Sequence, residues 1–427
     1  MNSKNAEFKK LKICMLSDSP LLATGYSNQS KLLAKYLSDR GHDIHYLANS
    51  YTGQPLVHAK LEDGTEFNYK IYGQKSQYFS SEMGQLMKEI KPDIFYILLD
   101  TFMLHGNPRN PQAGWFLNVD TSPSRTMFWF PSDGGGRLPL SCETILQKID
   151  RPVAMSQFGQ KQVKDVHNLN VDHIPHGTEP DRFYRLPEEK RNEIRAKWGL
   201  TGKFVIGSVF RNQPRKNPDR YFKTFNLIKE KVPNAVLFLH TDPNDQAGQI
   251  LLQNQIAKYN LENRVIFTGM SSMRAFDWAD MNEVYNTMDA FFLPTSGEGF
   301  GIPIIEAMAC KIPVIATSYT TTPELVELNK AGFGAKLAGV EKLDMFDIKT
   351  QDYDNESDNG TMTGGQWEVE RGLIDIKDAA ELLIKLAEDP ELCKELGENG
   401  RKAVLEKYDF NKHVGPAFEK IMWEMAQ

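Results

Sequence analysis

The sequence is poor in cysteine, in long apolar runs and in net positive charge, and each shortage removes a class of protein. Its four cysteines, Cys14, Cys142, Cys310 and Cys393, lie far apart in 427 residues and form no C-x-x-C pair. That excludes a disulfide framework and a cysteine zinc site, and it fits a reducing, cytoplasmic setting. No window approaches the ~18 uninterrupted apolar residues of a membrane span. The start, MNSKNAEFKKLK, is polar and basic, and the apolar run behind it, Ile13 to Leu16, lasts four residues. It is too short for the core of a signal peptide, which leaves at most peripheral contact with a membrane. The 50 Lys+Arg are outnumbered by 56 Asp+Glu, a formal charge of -6. Residues 1–178 carry 19 basic and 17 acidic side chains (+2), so the remainder carries 31 and 39 (-8). Neither half is a basic footprint, so nucleic acid is not indicated and any polyanion needs a local patch. The nine histidines form no H-x-x-x-H or H-E-x-x-H pair, and no metal is expected.

What is present is ample core material, 41% hydrophobic and 11% aromatic residues, enough for two or three folded domains and too much for a disordered chain. Short β-branched or aromatic runs alternate with segments of helical period, the pattern of parallel α/β units. Strands are expected at Lys12–Ser17, Asp43–Leu47, Ile94–Leu99, Arg125–Phe130 and Pro152–Met155. A second series is expected at Phe204–Val209, Ala235–His240, Val265–Phe267, Ala290–Leu293 and Pro313–Ala316. Between the first two strands, Leu32, Leu33, Tyr36 and Leu37 recur at helical spacing, and Gly41 closes the helix. Pro175, Pro180 and Pro187 punctuate the connection at about 175–195. The expectation is an α/β protein of two doubly wound domains, 1–178 and 179–409, followed by a C-terminal helix over 410–427. Residues 341–371, with nine acidic and three basic side chains, read as a solvated surface insertion. The aromatic cluster Trp115, Phe116, Phe128, Trp129 and Phe130 reads as core before it reads as a stacking or membrane-facing patch.

Two segments carry chemistry. In PTSGEGFGIPIIEAMACKIPVIATSYTTTPELVE (294–327), three glycines between Ser296 and Gly301 follow a strand, and Pro303 opens a helix. Backbone N–H groups at such a helix start suit a phosphate or diphosphate. Glu298 and Glu306 stand in apolar, glycine-rich surroundings, where a carboxylate needs partners: hydroxyls of a ligand, or an arginine in the core. In FRNQPRKNPDR (210–220), directly after a strand, Arg211, Arg215, Lys216 and Arg220 lie where open α/β sheets bind ligands. Arg211 with Lys216 could clamp a diphosphate; the plainer alternative is a solvated basic loop.

These residues resemble the family 4 retaining nucleotide-sugar glycosyltransferases of GT-B fold. The resemblance is carried by Glu298-x7-Glu306 within SGEGFGIPIIEAMAC, by the Arg211/Lys216 pair, by IPHGTEPDRF between the domains and by TGYSNQSKLLAKYLSDRGHDI near the start. It implies two Rossmann-like domains facing across a cleft, with the C-terminal helix crossing back to the first. It implies transfer of a hexosyl group from a nucleotide diphosphate sugar to a hydroxyl acceptor, with retention and without a metal or other cofactor. Glu298 would meet the transferred sugar and Glu306 the ribose. Arg211 and Lys216 would stabilise the departing diphosphate, in a pocket completed by Gly25, Gly299, Phe300, Gly301, Ile302 and Pro303. Gly269 and Met270 would meet the base.

The sequence departs from the family pattern at Asp133, in MFWFPSDGGG, where a histidine is usual; it either meets sugar or acceptor or starts an Asx turn. Lys311 and Thr320 to Thr322 stand where glycines are usual, and the threonine hydroxyls could donate to a phosphate. His176 and His240 fall near strand ends facing the cleft. Acceptor choice is expected to rest on about 51–85 and 105–124. Other readings are a GT-B sugar-nucleotide epimerase or phosphorylase, a DNA-modifying glycosyltransferase, and a non-catalytic nucleotide- or carbohydrate-binding protein.

Overall fold

The computed structural model describes residues 9–60, 66–105, 114–136, 138, 140–245, 248, 250–269, 278–347 and 365–427. In the first half the strands are β1 (Lys12–Asp18), β2 (Asp43–Asn49), β3 (Leu56–Lys60), β4 (Glu66–Gly73), β5 (Ile94–Leu98), β6 (Arg125–Phe130), β7 (Gly135–Gly136), β8 (Arg151–Ala154) and β9 (Asp172–His173). All but β7 form one sheet in the order β3-β4-β2-β1-β5-β6-β8-β9. Its pairs are parallel except β3 with β4, an antiparallel hairpin at one edge. That hairpin lies in the stretch 51–85, which carries no clear strand pattern because β3 is mostly exposed and so lacks apolar alternation.

Alternation along the central strands separates the two faces of this sheet. Ile13, Met15, Tyr46, Tyr96, Leu98 and Trp129 point to one core, and Cys14, Leu16, Phe95, Ile97, Phe128 and Phe130 to the other. Trp115 and Phe116 join the second core, so all five clustered aromatics are interior. The first core is covered by helix Gly25–Asp39, whose N-cap Thr24 accepts from Ser27 N, and by helix Gly415–Met425 from the far end of the chain. Phe418 on that last helix packs edge-on against Trp129 and Tyr96, with ring centroids 4.7 and 5.8 Å away. Beside it Glu419 takes Arg40 at 2.6 Å and His42 at 3.1 Å. The chain therefore ends on its own first sheet.

The second half holds β10 (Phe204–Val209), β11 (Ala235–His240), β12 (Val265–Phe267), β13 (Ala290–Leu293), β14 (Val314–Thr317) and β15 (Gly332–Ala335). They form a wholly parallel sheet in the order β12-β11-β10-β13-β14-β15, its inner strands buried on both faces as their continuous apolar runs require. Where the two halves meet, the connection and the returning chain run side by side. Thr178 N donates to Tyr408 O at 2.8 Å and Phe410 N to Thr178 O at 2.9 Å.

The acidic stretch 341–371 departs from the expected solvated insertion at both ends. Residues Leu337–Asp347 form β16 and Gly365–Ile374 form β17, an antiparallel pair whose second strand also pairs with β7 of the first half. Alternating charge masks the strand pattern there, because backbone pairing rather than an apolar face holds this ribbon. No helix among the described residues is long and apolar enough to cross a membrane.

Candidate functional site

The two sheets present the carboxyl ends of their central strands to one another, and the loops leaving those ends meet. The turn Ser296–Gly301 leaves β13 and enters helix Ile302–Ala309 through Gly301, whose φ of +109° is open to glycine and not to a side-chain-bearing residue. Pro303 sits in the first turn, where its missing N–H costs nothing. The first half comes very close to this turn. A Cβ on Gly299 would lie 2.8 Å from Pro131 Cβ, and one on Gly25 would lie 3.3 Å from Ile302 Cδ1. Gly25, Gly299, Phe300, Gly301, Ile302 and Pro303 are therefore brought to one place.

The basic loop after β10 is held against the same turn. Ser296 N donates to Arg215 O at 2.8 Å, and Ser296 Oγ to the same oxygen at 2.9 Å. That anchoring carries two cations to Glu298, which is 5% exposed. Lys216 Nζ stands 2.5 Å from Oε1 and Arg215 Nη1 3.2 Å from Oε2. Burial alone would raise the Glu298 carboxyl, but Lys216 and Arg215 outweigh it and hold it at about 2. Burial, reinforced by Arg215, outweighs Glu298 at the lysine and lowers Lys216 to about 8. Arg215 Nε also meets Asp133 Oδ2 at 3.1 Å, and Arg371 Nη1 meets Oδ1 at 3.2 Å. Asp133 thus joins the cluster through two ion pairs rather than opening an Asx turn.

Arg211 does not join it. Its side chain is 61% exposed and is paired with Asp245 at 2.9 Å, so the arginine that meets Glu298 is Arg215. The family resemblance names Arg211, and nothing in the sequence of FRNQPRK distinguishes the two arginines as partners of Glu298. The short turn Pro214–Lys216 decides it by placing Arg215 and Lys216 consecutively over the acidic side chain.

Glu306 is the fifth residue of helix Ile302–Ala309 and is 7% exposed. Its partner is not a core arginine but the buried Tyr285, whose Oη donates to Oε2 at 2.5 Å. Burial lifts this carboxyl to about 7 against that hydrogen bond. Thr321 and Thr322 are not free donors, and Thr320 is engaged as an acceptor. Thr320 Oγ1 accepts from Glu298 N at 2.9 Å, Thr321 Oγ1 donates to Phe300 O at 2.7 Å, and Thr322 Oγ1 donates to Tyr319 O at 3.0 Å. The hydroxyls shape the glycine turn instead of pointing at a ligand. Lys311 adopts φ +58° past the helix end and pairs with Glu398 at 2.7 Å.

His176 is 2% exposed and packed between Trp129 and Phe300, with ring centroids 4.1 and 5.2 Å away. Burial keeps it neutral, at about 3, and its Nδ1 has no hydrogen-bond partner. His240 Nδ1 shares a hydrogen bond of 2.9 Å with Thr268 Oγ1. Gly269 has φ +75° and open space where a Cβ would be; Met270 lies outside the described residues. A second acidic pair, not singled out by any motif, sits at the carboxyl end of the first sheet. Tyr26 Oη donates to Asp100 Oδ1 at 2.6 Å, and burial lifts Asp100 to about 6. Among the described residues no group of three or more His, Cys, Asp or Glu could hold a metal ion.

With this geometry in view, residues 190–343 match the family model "Glycosyl transferases group 1". That segment of the chain is similar to the group 1 glycosyl transferases. Mannosylfructose-phosphate synthase of Agrobacterium fabrum is 28% identical over 42% of this chain and 38% of its own length. The chain spans 38 to 47% of the length of the first curated relatives it matches. The whole fold is shared with sucrose-phosphate synthase of Thermosynechococcus elongatus, with a TM-score of 0.73 at 16% identity over 98% of this chain and 99% of that one. It is also shared with Anabaena HepE, solved in complex with UDP and glucose, with a TM-score of 0.67 at 17% identity over 97% and 100%. The chain thus has the GT-B fold, two Rossmann-like domains with the Glu298 cluster between them.

Proposed function

We propose that this protein is a retaining, metal-independent hexosyltransferase that takes its sugar from a nucleotide diphosphate sugar and delivers it to a hydroxyl acceptor. The observation that carries the reading is the buried row Lys216, Glu298, Arg215 beside the N-terminus of helix Ile302–Ala309. Two cations and a helix start converge there, an arrangement suited to a diphosphate whose negative charge grows as it departs.

Glu298 is held fully ionised at about 2 and has a cation on each oxygen. It is thereby unsuited to donate a proton or to attack the sugar, and suited to accept hydrogen bonds from sugar hydroxyls. That favours attack by the acceptor on the face the diphosphate leaves, with retention. Glu306, with one oxygen held by Tyr285, is suited to accept from ribose hydroxyls. Arg211 remains a candidate for the diphosphate because its guanidinium, although paired with the buried Asp245, is 61% exposed. HepE was solved with UDP and glucose, which supports a nucleotide-sugar donor here.

The test is thermal-shift screening against uridine, guanosine and adenosine diphosphate sugars, since a ligand that binds only the folded state raises the melting point by mass action. One of the three is expected to shift it. Transfer from that donor is expected to be nearly abolished by Glu306→Ala and by Lys216→Ala with the fold intact. Full turnover by both variants refutes the reading.

A further inference from the structure

The β16–β17 ribbon leaves the second sheet's domain and reaches the first. Val369 pairs with Gly136 and Glu370 with Gly135, extending the ribbon by a strand drawn from the other half of the molecule. The glycine run Gly134 to Gly136 is what permits the approach. A Cβ on Gly134 would lie 2.6 Å from Val369 Cγ2, and one on Gly135 would lie 2.4 Å from Tyr319 Oη. From below, Gln162 Nε2 donates to Gly134 O at 3.0 Å and Gly136 O at 2.8 Å, so the glycine strand is fixed on its own side. The ribbon is fixed on the other: Gly372 N donates to Ser296 O at 2.9 Å and Tyr319 Oη to Glu370 O at 3.2 Å.

At the crossing stands Arg371. It donates to the backbone oxygen of Asp133 and pairs with Asp133 Oδ1 at 3.2 Å, while Asp133 Oδ2 is held by Arg215 at 3.1 Å. Five side chains of alternating charge, Lys216, Glu298, Arg215, Asp133 and Arg371, therefore run in line from the second domain through the first and back to the ribbon. Without Arg371, Asp133 retains one partner on one oxygen, and nothing on the ribbon side opposes its rotation.

We propose that the β16–β17 ribbon is a clasp between the two domains and that Arg371 is a positioning residue, acting through Asp133 and Arg215 to set Glu298. Arg371 pairs with Asp133 and not with Glu298, so its effect passes through the shared carboxylate. The positioning half rests on reading the Glu298 cleft as the transfer site. The clasp half does not.

The experiment uses the full chain and the variants Arg371→Ala, Arg371→Lys and Asp133→Asn. Hydrogen exchange of the ligand-free protein, followed by mass spectrometry, reads Gly134–Gly136 and Val369–Glu370 against the central strand Ile94–Leu98. In Arg371→Ala the first two segments are expected to exchange about tenfold or more faster while the strand is unchanged, and Arg371→Lys is expected to recover part of the protection. Turnover of UDP-glucose, GDP-mannose or ADP-glucose is expected to lose about tenfold or more in kcat with KM within roughly threefold. The Arg371→Ala and Asp133→Asn effects are expected not to add. Unchanged exchange at both segments overturns the clasp. Loosened exchange with unchanged kcat, or additive effects, overturns the positioning role. Absence of turnover in the unsubstituted protein overturns the transferase reading and the positioning role with it, and exchange then decides the clasp alone.

Discussion

Replacing Lys216 with methionine separates the electrostatics of the cleft from its packing, because the apolar stem is kept and only the charge is lost. Glu298 lies at about 2 instead of its ordinary 4.5, a difference of 2.5. At 1.36 kcal/mol per unit this is about 3 kcal/mol of net preference for the charged carboxylate. Lys216 at 2.5 Å and Arg215 at 3.2 Å share that work, and in Lys216→Met only the longer contact survives. Replacing Lys216 also removes a charge that burial and Arg215 make costly, as its lowered value of about 8 shows, so the expected net loss of stability is at most about 1.5 to 3 kcal/mol, below the ~3 to 5 kcal/mol of a buried charge left with no partner. The folded-state value is depressed, so its contribution is complete above the ordinary carboxylate range and is lost as pH falls toward 2. In the variant the loss starts at the same ordinary carboxylate range but is smaller and is complete at higher pH. The assay is urea denaturation at neutral and mildly acidic pH, together with sugar transfer, where loss of one preorganised donor should lower kcat by about 10² to 10³. Adding Glu298→Gln supplies the discriminating result. It removes the under-compensated charge, so stability should recover by at least half while transfer stays lost. Wild-type stability and turnover in Lys216→Met refute the account of the cluster. So does a double variant no more stable than Lys216→Met alone.

The remaining predictions address pH, domain approach and the C-terminal helix. With Glu306 near 7 and Lys216 near 8, kcat/KM should fall below about pH 7, as Glu306 gains a proton, and again above about pH 8, as Lys216 loses one; a flat profile from pH 6 to 9 refutes this assignment. Gly299→Ala puts a Cβ 2.8 Å from Pro131, so it should weaken donor turnover, while melting, followed by circular dichroism, changes little. Phe418→Ala removes a ring packed on Trp129 and Tyr96 and should cost about 3 to 5 kcal/mol, read as a lower urea midpoint and as early proteolysis of the last helix.

Much of the fold can be read from the sequence, because buried parallel strands are written as apolar runs bounded by turn residues, and β1, β5, β6, β10, β11 and β13 are such runs. What cannot be read is held by backbone pairing rather than by an apolar face: β3 at an exposed edge, and β16 with β17 in an acidic stretch. The site divides the same way. Glu298 and Glu306 stand out in the sequence because a carboxylate among glycines and aliphatic residues needs partners, and the structure supplies Lys216 and Arg215 to the one and Tyr285 to the other. Arg215 is not, because Arg211 and Arg215 are the same residue type in one loop, and only the turn at Pro214 determines which reaches Glu298. The threonines after β14 were legible as hydroxyls but not in their local roles, Thr320 accepting from Glu298 N and Thr321 donating to Phe300 O, since those depend on how the two loops meet. The role of Gly134 to Gly136 was hidden for a similar reason: the strand it admits comes from more than 230 residues away.

The charge of the molecule and the charge of its cleft point in opposite directions, and the geometry accounts for the difference. The second part of the chain carries a surplus of eight acidic side chains, yet the row at Glu298 counts three cations against two anions. Arg215 and Lys216 are sequence neighbours, and their repulsion, with burial, is why Lys216 lies near 8 while Arg215, next to both Glu298 and Asp133, is raised. A loop under that strain is cheapest to hold closed when an anion is shared between the two cations. Glu298 provides one within the chain, and a diphosphate would provide a second from outside. The row thus retains an excess of one positive charge, which a diphosphate between the two domains would neutralise.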